Sequence, residues 1–394
     1  MIKLIKDNIV FVKGACGGAI YDFITHKVYA INEYGCDIII REISNSEQIN
    51  QHADAYLKQI SQMLNITGQL QDIDYVFPKL VPKLSSVWLE ITQQCNCKCI
   101  HCYEGDVHKN TDSVIDFKKW LNIIDEIAMT DCKEVRFIGG EPTLYPHLEK
   151  LIEYASNKKL KIVLLTNFLH VSQKLLDLLK NTNTCVKFSL YGKDEQTHDK
   201  ITQIPGSFHL LTENIVDAKK IGINLQCNIV VMKENESQRE EIVKYINSLG
   251  IKKIHSDEIR KSYFGHQQKH LLKNGYSKMK KSFYADKKMF DLSHAANSCW
   301  YGRIVISNNG ETYPCIFSKN FSCGNIIHQS LKEIIYGDKI RKYWLFNYSN
   351  VEPCNVCEFR FACRDCRPLA FMENGNMVAK NPKCFYDPNT NKWL

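Results

Sequence analysis

Three cysteines, Cys95, Cys99 and Cys102, stand in the spacing C-x3-C-x2-C within Ile91-Thr92-Gln93-Gln94-Cys95-Asn96-Cys97-Lys98-Cys99-Ile100-His101-Cys102-Tyr103. Three thiolates on one loop can hold three irons of a [4Fe–4S] cube and leave the fourth iron open to a small molecule. Zinc is the competing occupant, because cysteine-rich loops also bind it. A structural zinc site needs four ligands, usually as two paired knuckles, and Cys97 is the residue that could complete such a set.

A second group follows near the C-terminus. Cys299 is followed by Gly310-x4-Cys315, then by Cys354-x2-Cys357-x5-Cys363-x2-Cys366 and by Cys384. The chain holds 17 cysteines in 394 residues and begins without an apolar core followed by a small-residue cleavage site. A cytoplasmic, reducing setting is therefore expected, where structural disulfides are rare and clustered thiols point to metal ligation. No long uncharged apolar run predicts a membrane span. The net charge is +8, concentrated between Arg260 and Lys288, where nine Lys or Arg face one acid, Asp286. That stretch reads as a solvated basic segment, or as a surface for an acidic partner.

The elements that must position these thiols alternate in type. Residues 19–23 and 27–31 predict a β-hairpin, followed by amphipathic helices near 33–43 and 52–64. Pro78 and Pro82 mark a linker. Strands are expected at 87–92, 134–139, 161–166, 185–190, 224–232 and 253–259, most of them rich in Val, Ile or Leu as buried parallel strands are. Helical stripes lie between them: Val114, Phe117, Trp120, Leu121, Ile124 and Ile127; Leu148, Leu151 and Ile152; Ile242, Tyr245, Ile246 and Leu249. Strand–helix alternation predicts a parallel α/β sheet or barrel, and six strands fall short of the closed eight-stranded form. The expected domains are 1–80, 86–260, a basic connector 261–295, and a cysteine-rich region 296–394.

The cysteine loop resembles the cluster motif of the radical S-adenosylmethionine (SAM) superfamily. Gly139-Gly140-Glu141-Pro142 at the second strand end looks like that family's GGEP-type motif, where glycine lets backbone approach the SAM amino group. Thr166-Asn167 and Ser189 end the third and fourth strands, and His198-Asp199 lies in a stretch that resembles the downstream pattern. These core motifs fall at successive strand ends, where open α/β sheets bind ligands. The resemblance implies a partial (β/α)6 barrel with a [4Fe–4S] cluster on Cys95, Cys99 and Cys102. It further implies SAM bound near Gly139, Gly140, Glu141, Pro142, Thr166, Asn167, Ser189 and Asp199, and cleavage of SAM to a 5′-deoxyadenosyl radical.

The C-terminal cysteines resemble the SPASM extension of the same enzymes, although that family usually closes the compact run with C-x3-C rather than C-x2-C. The resemblance implies one auxiliary iron–sulfur cluster on Cys354, Cys357, Cys363 and Cys384. A second would sit on Cys299, Cys315 and Cys366, with Cys323 as candidate fourth ligand. The N-terminal hairpin and helices resemble the winged-helix-like peptide-recognition domains of ribosomal-peptide maturases, in which the hairpin edge pairs with a precursor's leader segment.

Together these imply a maturase that abstracts hydrogen from a ribosomally made precursor peptide and leads to a thioether or carbon–carbon crosslink. The expected partners are that peptide and a small electron donor such as flavodoxin or ferredoxin, with no membrane and no nucleic acid. The alternatives are a radical SAM dehydrogenase, a sulfatase-type maturase, or an epimerase with Cys227 as hydrogen-atom donor. An iron–sulfur regulator that binds DNA is a further alternative, but residues 1–80 are not basic as a DNA reader would be. Cys16, Cys36, Cys97, Cys132, Cys185 and Cys227 are otherwise expected to be packing thiols.

Overall fold

The computed structural model describes residues 1–44, 51–105, 115–263, 266–279 and 282–394. The chain forms two bodies. One comprises Met1–Val81, Ser277–Cys299 and Leu345–Leu394; the other comprises Pro82–Tyr276 and Trp300–Trp344.

The first body opens with strands β1 (Ile2–Lys6), β2 (Ile9–Lys13), β3 (Gly18–Asp22) and β4 (Lys27–Ile31), which pair antiparallel in sequence order. Helices α1 (Glu33–Ser44) and α2 (Gln51–Met63) follow, then a two-residue strand β5 (Ile73–Asp74) beside β1. Alternation along each strand sorts the side chains. Ile5, Ile9, Phe11, Ile20 and Ile31 pack with Ile39, Ile43 and Ile60 of the helices. Val10, Val12, Ala19 and Tyr21 face the opposite side. The hairpin and both helices stand where the sequence predicts them. The preceding hairpin, β1–β2, is additional: its Ile-Val-Phe-Val run shows no polar alternation because both faces of β2 are covered.

The second body carries the strand–helix alternation. In order come β6 (Ser86–Thr92), α3 (Phe117–Ala128), β7 (Glu134–Gly139), α4 (Leu148–Asn157), β8 (Lys161–Thr166), α5 (Gln173–Asn181) and β9 (Cys185–Ser189). Then follow α6 (Glu195–Thr202), α7 (Ser207–Ile221), β10 (Asn224–Val231), α8 (Arg239–Ser248) and β11 (Ile254–Glu258). Strands β6 to β11 pair in parallel, each with the next. Helix α3 buries Trp120, Ile124 and Ile127 of the expected stripe together with Ile123, while Phe117 and Leu121 are half-buried; Val114 of that stripe lies outside the described residues. The six expected strands agree with the observed ones to within a residue or so.

The chain then returns to the first body with β12 (Phe283–Tyr284) and α9 (Lys287–Ala295). Strand β12 pairs with β4, so the antiparallel sheet reads β12-β4-β3-β2-β1-β5. The stretch expected as a basic connector is thus integral structure from Ser277 onward, although Lys280 and Lys281 lie outside the described residues. Phe283, Ala285 and Phe290 are the apolar residues that hold it, spaced among lysines that stay in water.

Strands β13 (Arg303–Ile306), β14 (Glu311–Tyr313) and β15 (Gly324–Asn325) belong to the second body, as do helices α10 (Leu331–Tyr336) and α11 (Asp338–Trp344). β13 pairs in parallel with β6 and widens the sheet to nine strands, β11-β10-β9-β8-β7-β6-β13-β14-β15. Helix α12 (Arg367–Asn374) and the pair β16 (Tyr386–Asp387) and β17 (Lys392–Trp393) complete the first body. Phe359, Phe361, Ala362 and Tyr386 cover the sheet face formed by Val10, Val12, Ala19 and Tyr21.

Candidate active site and cluster ligands

The loop that follows β6 carries the first cysteines, and backbone bonds fix its path. Lys98 and Ile100 N–H donate to Thr202 O and Ile201 O, both 3.0 Å, which anchors the loop to the end of α6. Cys102 N–H donates to Cys99 O, 3.1 Å. Gln267 Nε2 donates to Cys102 O, 2.6 Å, and Gln267 Oε1 accepts from Ser262 Oγ, 2.7 Å.

The strand-end motifs are tied directly to this loop. Gly140 N–H donates to Thr92 O, 2.9 Å, and Glu141 N–H to Gln94 O, 2.7 Å. A Cβ on Gly139 would run into Thr92 O, and one on Gly140 into Gln93 O and Gln94 O, so the close approach requires glycine. The Glu141 carboxylate is fully buried. It accepts from Thr143 N–H (3.0 Å) and Oγ1 (2.7 Å), Thr166 Oγ1 (2.6 Å) and Asn167 N–H (2.6 Å). Burial raises its pKa, and these donors pull the other way. Asn167 Nδ2 in turn donates to Asn96 Oδ1, 2.6 Å, and to Cys97 Sγ, 3.3 Å. One hydrogen-bonded chain therefore links the ends of β6, β7 and β8 to the cysteine loop.

These groups surround a cavity of about 500 Å³. Cys95, Cys99, Cys102, Gly139, Gly140, Thr166, Asn167 and Ser189 all line it. Glu141 and Pro142 do not; they brace the wall from behind. Asp199 is also outside the lining: its carboxylate accepts from Gly206 N–H (2.5 Å), Ser207 Oγ (2.7 Å) and Phe208 N–H (2.9 Å). Asp199 thus closes the turn from α6 into α7, and α6 carries the cysteine loop. Cys227, expected as a possible hydrogen-atom donor, is fully buried in β10, and its neighbour Asn228 lines the cavity instead. Alternation along the strand turns the Cys227 thiol to the opposite face of the sheet.

Further side chains complete the site and its surroundings. Cys97, expected as a packing thiol, lines the cavity and hydrogen-bonds with Cys95 and Cys99. His101 packs edge-to-face on Tyr191, centroids 4.5 Å apart, and burial lowers its pKa to about 3, so the ring is neutral at physiological pH. Lys319, four residues after Cys315, reaches the Glu90 carboxylate on β6 and lies 3.4 Å from Glu104. All three side chains are at most 10 % exposed. Burial, then the Glu90 charge, raises the Glu104 pKa to about 8. A glutamate inside the apolar run Val87-Trp88-Leu89-Glu90-Ile91 was the signal that such a partner exists.

In the first body, Cys354, Cys357, Cys363 and Cys384 come together. The Cys354 pKa is pushed up to about 12 by burial, with Asp365 and Cys384 adding to the effect. Cys363 is raised by burial and by Asp365, Cys354 and Cys384. Cys357 and Cys384 pack against the buried cluster of Tyr21, Phe290, Phe359, Phe361 and Tyr386. Cys299 and Cys366 also belong to this body, whereas Cys315 and Cys323 belong to the other. Cys323 is buried; its thiol donates to Phe321 O, 3.4 Å, and its N–H to Thr312 O, 2.8 Å.

Among the described residues, no three His, Cys, Asp or Glu side chains are arranged to hold a single metal ion. The donor chemistry nonetheless fits iron–sulfur clusters. Cys102 has its pKa raised to about 12 by burial, and Cys95 is raised by its hydrogen bond with Cys97 and by burial. Thiols crowded into such a site ionise only when a strong positive charge joins them, as cluster iron does. Gly139 and Gly140 line the cavity beside those thiols.

Residues 89–246 match the radical SAM superfamily, and residues 299–358 match the SPASM iron–sulfur cluster-binding domain. The chain is a radical SAM enzyme with a SPASM extension. It uses SAM and a [4Fe–4S] cluster at the radical SAM site, with auxiliary clusters in the SPASM region. This enzyme is 27% identical over 70% of its length to the antilisterial bacteriocin subtilosin biosynthesis protein AlbA of Bacillus subtilis, covering 66% of that protein. It is 24% identical to the PqqA peptide cyclase of Bradyrhizobium diazoefficiens, over 77% of this chain and 86% of that one. It is also 22% identical to the AdoMet-dependent heme synthase of Methanosarcina barkeri, over 76% and 95%. The fold resembles that of Streptococcus suis SuiB bound to precursor peptide SuiA, with a TM-score of 0.61 at 15% identity, covering 97% of this chain and 99% of that one. Among the described residues, no helix is long and apolar enough to cross a membrane.

Proposed function

We propose that this radical SAM enzyme matures a ribosomally made peptide in the reducing interior of the cell. The observation that carries the reading is the hydrogen-bonded union of the cysteine loop with three strand ends around one cavity of about 500 Å³. Relatives named for bacteriocin biosynthesis and peptide cyclisation support a peptide as substrate. The antiparallel sheet of the first body, whose β4 edge is covered at Val28 and Lys27 by β12, would receive the leader segment.

When bound, SAM and the reduced cluster supply hydrogen-atom abstraction from the substrate. The residues of the chain do the rest. Cys95, Cys99 and Cys102 hold iron. Gly139 and Gly140 let the backbone approach the methionine end of SAM, and Thr166, Asn167 and Ser189 form the wall beside it. His101 and Tyr191 keep water from the cluster side. Cys354, Cys357, Cys363 and Cys384 hold an auxiliary cluster. A small electron donor such as flavodoxin or ferredoxin reduces the enzyme.

The test is anaerobic incubation of reconstituted, reduced enzyme with SAM and the short peptide encoded beside its gene. The expected product has lost two hydrogens and carries a new crosslink in its fragmentation pattern. An unchanged peptide, with an iron porphyrin or its precursor converted instead, would replace this reading with the heme-synthase one.

A further inference from the structure

The cavity has a second end that the SAM motifs do not use. Gly139 and Ser189 lie at the C-terminal ends of β7 and β9, whereas Arg136 and Lys187 line the same cavity three and two residues earlier on those strands. At about 3.3 Å per strand residue, the two cations stand roughly 7–10 Å from the SAM end. That is the span of two or three residues of an extended peptide.

The charges at this end are not balanced. Arg136 gives its Nε and Nη2 to Glu134, 2.7 and 2.6 Å, and its guanidinium lies 4.8 Å over the Trp88 ring. Lys187 has no hydrogen-bond or ion-pair partner among the described residues, and the charges that act on it are Arg136, Glu134 and the Cys185 thiol. His255, across on β11, lines the cavity beyond Asn228. Nearer the SAM end, Asp257 is engaged by Arg260 and Glu104 by Lys319, and Glu258, at the end of β11, also lines the cavity. Lys133, Lys161, Lys252 and Lys253 are exposed at or next to the starts of β7, β8 and β11. A half-buried lysine without an ion-pair partner among the described residues, beside an arginine on the wall of the same cavity, is an anion subsite.

We propose that Arg136 and Lys187 bind a carboxylate of the peptide substrate, from an Asp or Glu side chain or from the C-terminus, one or two residues from the position that reacts. This rests on the peptide reading above. It adds that the substrate is acidic beside its reactive residue, with Trp88 and Arg136 forming the platform on which that residue lies.

The test reads binding, not turnover. Reconstituted holoenzyme with SAM is titrated with three fluorescein-labelled peptides: amidated Gly-Glu-Gly-Glu-Gly, amidated Gly-Gln-Gly-Gln-Gly, and the Gln peptide with a free C-terminus. The Glu peptide is expected to bind about tenfold more tightly than the amidated Gln peptide. Lys187→Met should erase that preference, and Lys187→Arg should keep most of it. Lys244→Met, an exposed lysine on α8, should leave it intact. Tight binding of the free-carboxylate Gln peptide would assign the subsite to a C-terminus, and its absence to a side chain. Equal binding of all three peptides overturns the proposal, as does a Lys187→Met variant of normal iron content that still prefers glutamate. Because no turnover is measured, failure of peptide modification would count against the proposed function and leave this result standing.

Discussion

The two cysteine groups solve opposite problems. In the second body, Cys95, Cys99 and Cys102 line an open cavity, and polar groups from three strand ends converge beside them. In the first body, Cys357 and Cys384 are sunk against Tyr21, Phe290, Phe359, Phe361 and Tyr386. By spacing alone, both groups read as cluster ligands. Their surroundings divide the roles: a cluster that must exchange a ligand needs a cavity, and one that must persist needs packing. In the proposed function, a radical generated in the second body would stay near the strand ends that line the cavity beside Cys95, Cys99 and Cys102.

The largest expected effect comes from the ligands themselves. Cys99→Ala should remove about four irons per chain and abolish 5′-deoxyadenosine formation. Cys357→Ala should also cost about four irons, yet leave SAM cleavage within about threefold of the parent, as expected for independent sites. Equal loss of cleavage in both variants would erase the distinction between the two groups.

Lys319→Met should come next. It strands Glu90 and Glu104 in a buried site without a cation, which costs about 3–5 kcal/mol of stability in denaturant titrations. Adding Glu90→Gln should recover part of that loss. If the single variant is as stable as the parent, the triad does not hold the Cys315 loop to β6.

Gly140→Ala forces a methyl group against Gln93 O and Gln94 O. It should lower SAM cleavage about a hundredfold, since small displacements of reacting groups carry penalties of that size. The smallest effect belongs to Asp199→Ala. Losing the cap at the α6–α7 turn should cost about 1–2 kcal/mol, with SAM affinity in equilibrium dialysis unchanged. A large loss of SAM affinity at unchanged stability would return Asp199 to the cavity.

How much of this was legible before the structure follows from the range of the interactions involved. The six parallel strands and the cysteine loop were readable because period and spacing are local. So was Gly140, where the motif and the backbone contact coincide. Asp199 was misplaced because its residue type and position match a family pattern, and only geometry shows its oxygens filled by Gly206, Ser207 and Phe208. Cys97 and Cys227 could not be told apart by sequence. The loop after β6 brings the Cys97 thiol to the cavity, while alternation along β10 turns the Cys227 thiol behind the sheet. β12 and α9 were hidden because Phe283 and Phe290 are sparse anchors in a lysine-rich stretch, and their partners Val28 and Tyr21 lie more than 250 residues earlier.

The most direct measurement is anaerobic reconstitution of the full chain with iron and sulfide, followed by reduction in the presence of SAM. The account predicts about twelve irons per chain, four for each of three clusters, and release of 5′-deoxyadenosine and methionine that disappears in Cys99→Ala. Zinc in place of iron, or a reduced protein that leaves SAM intact, would contradict it.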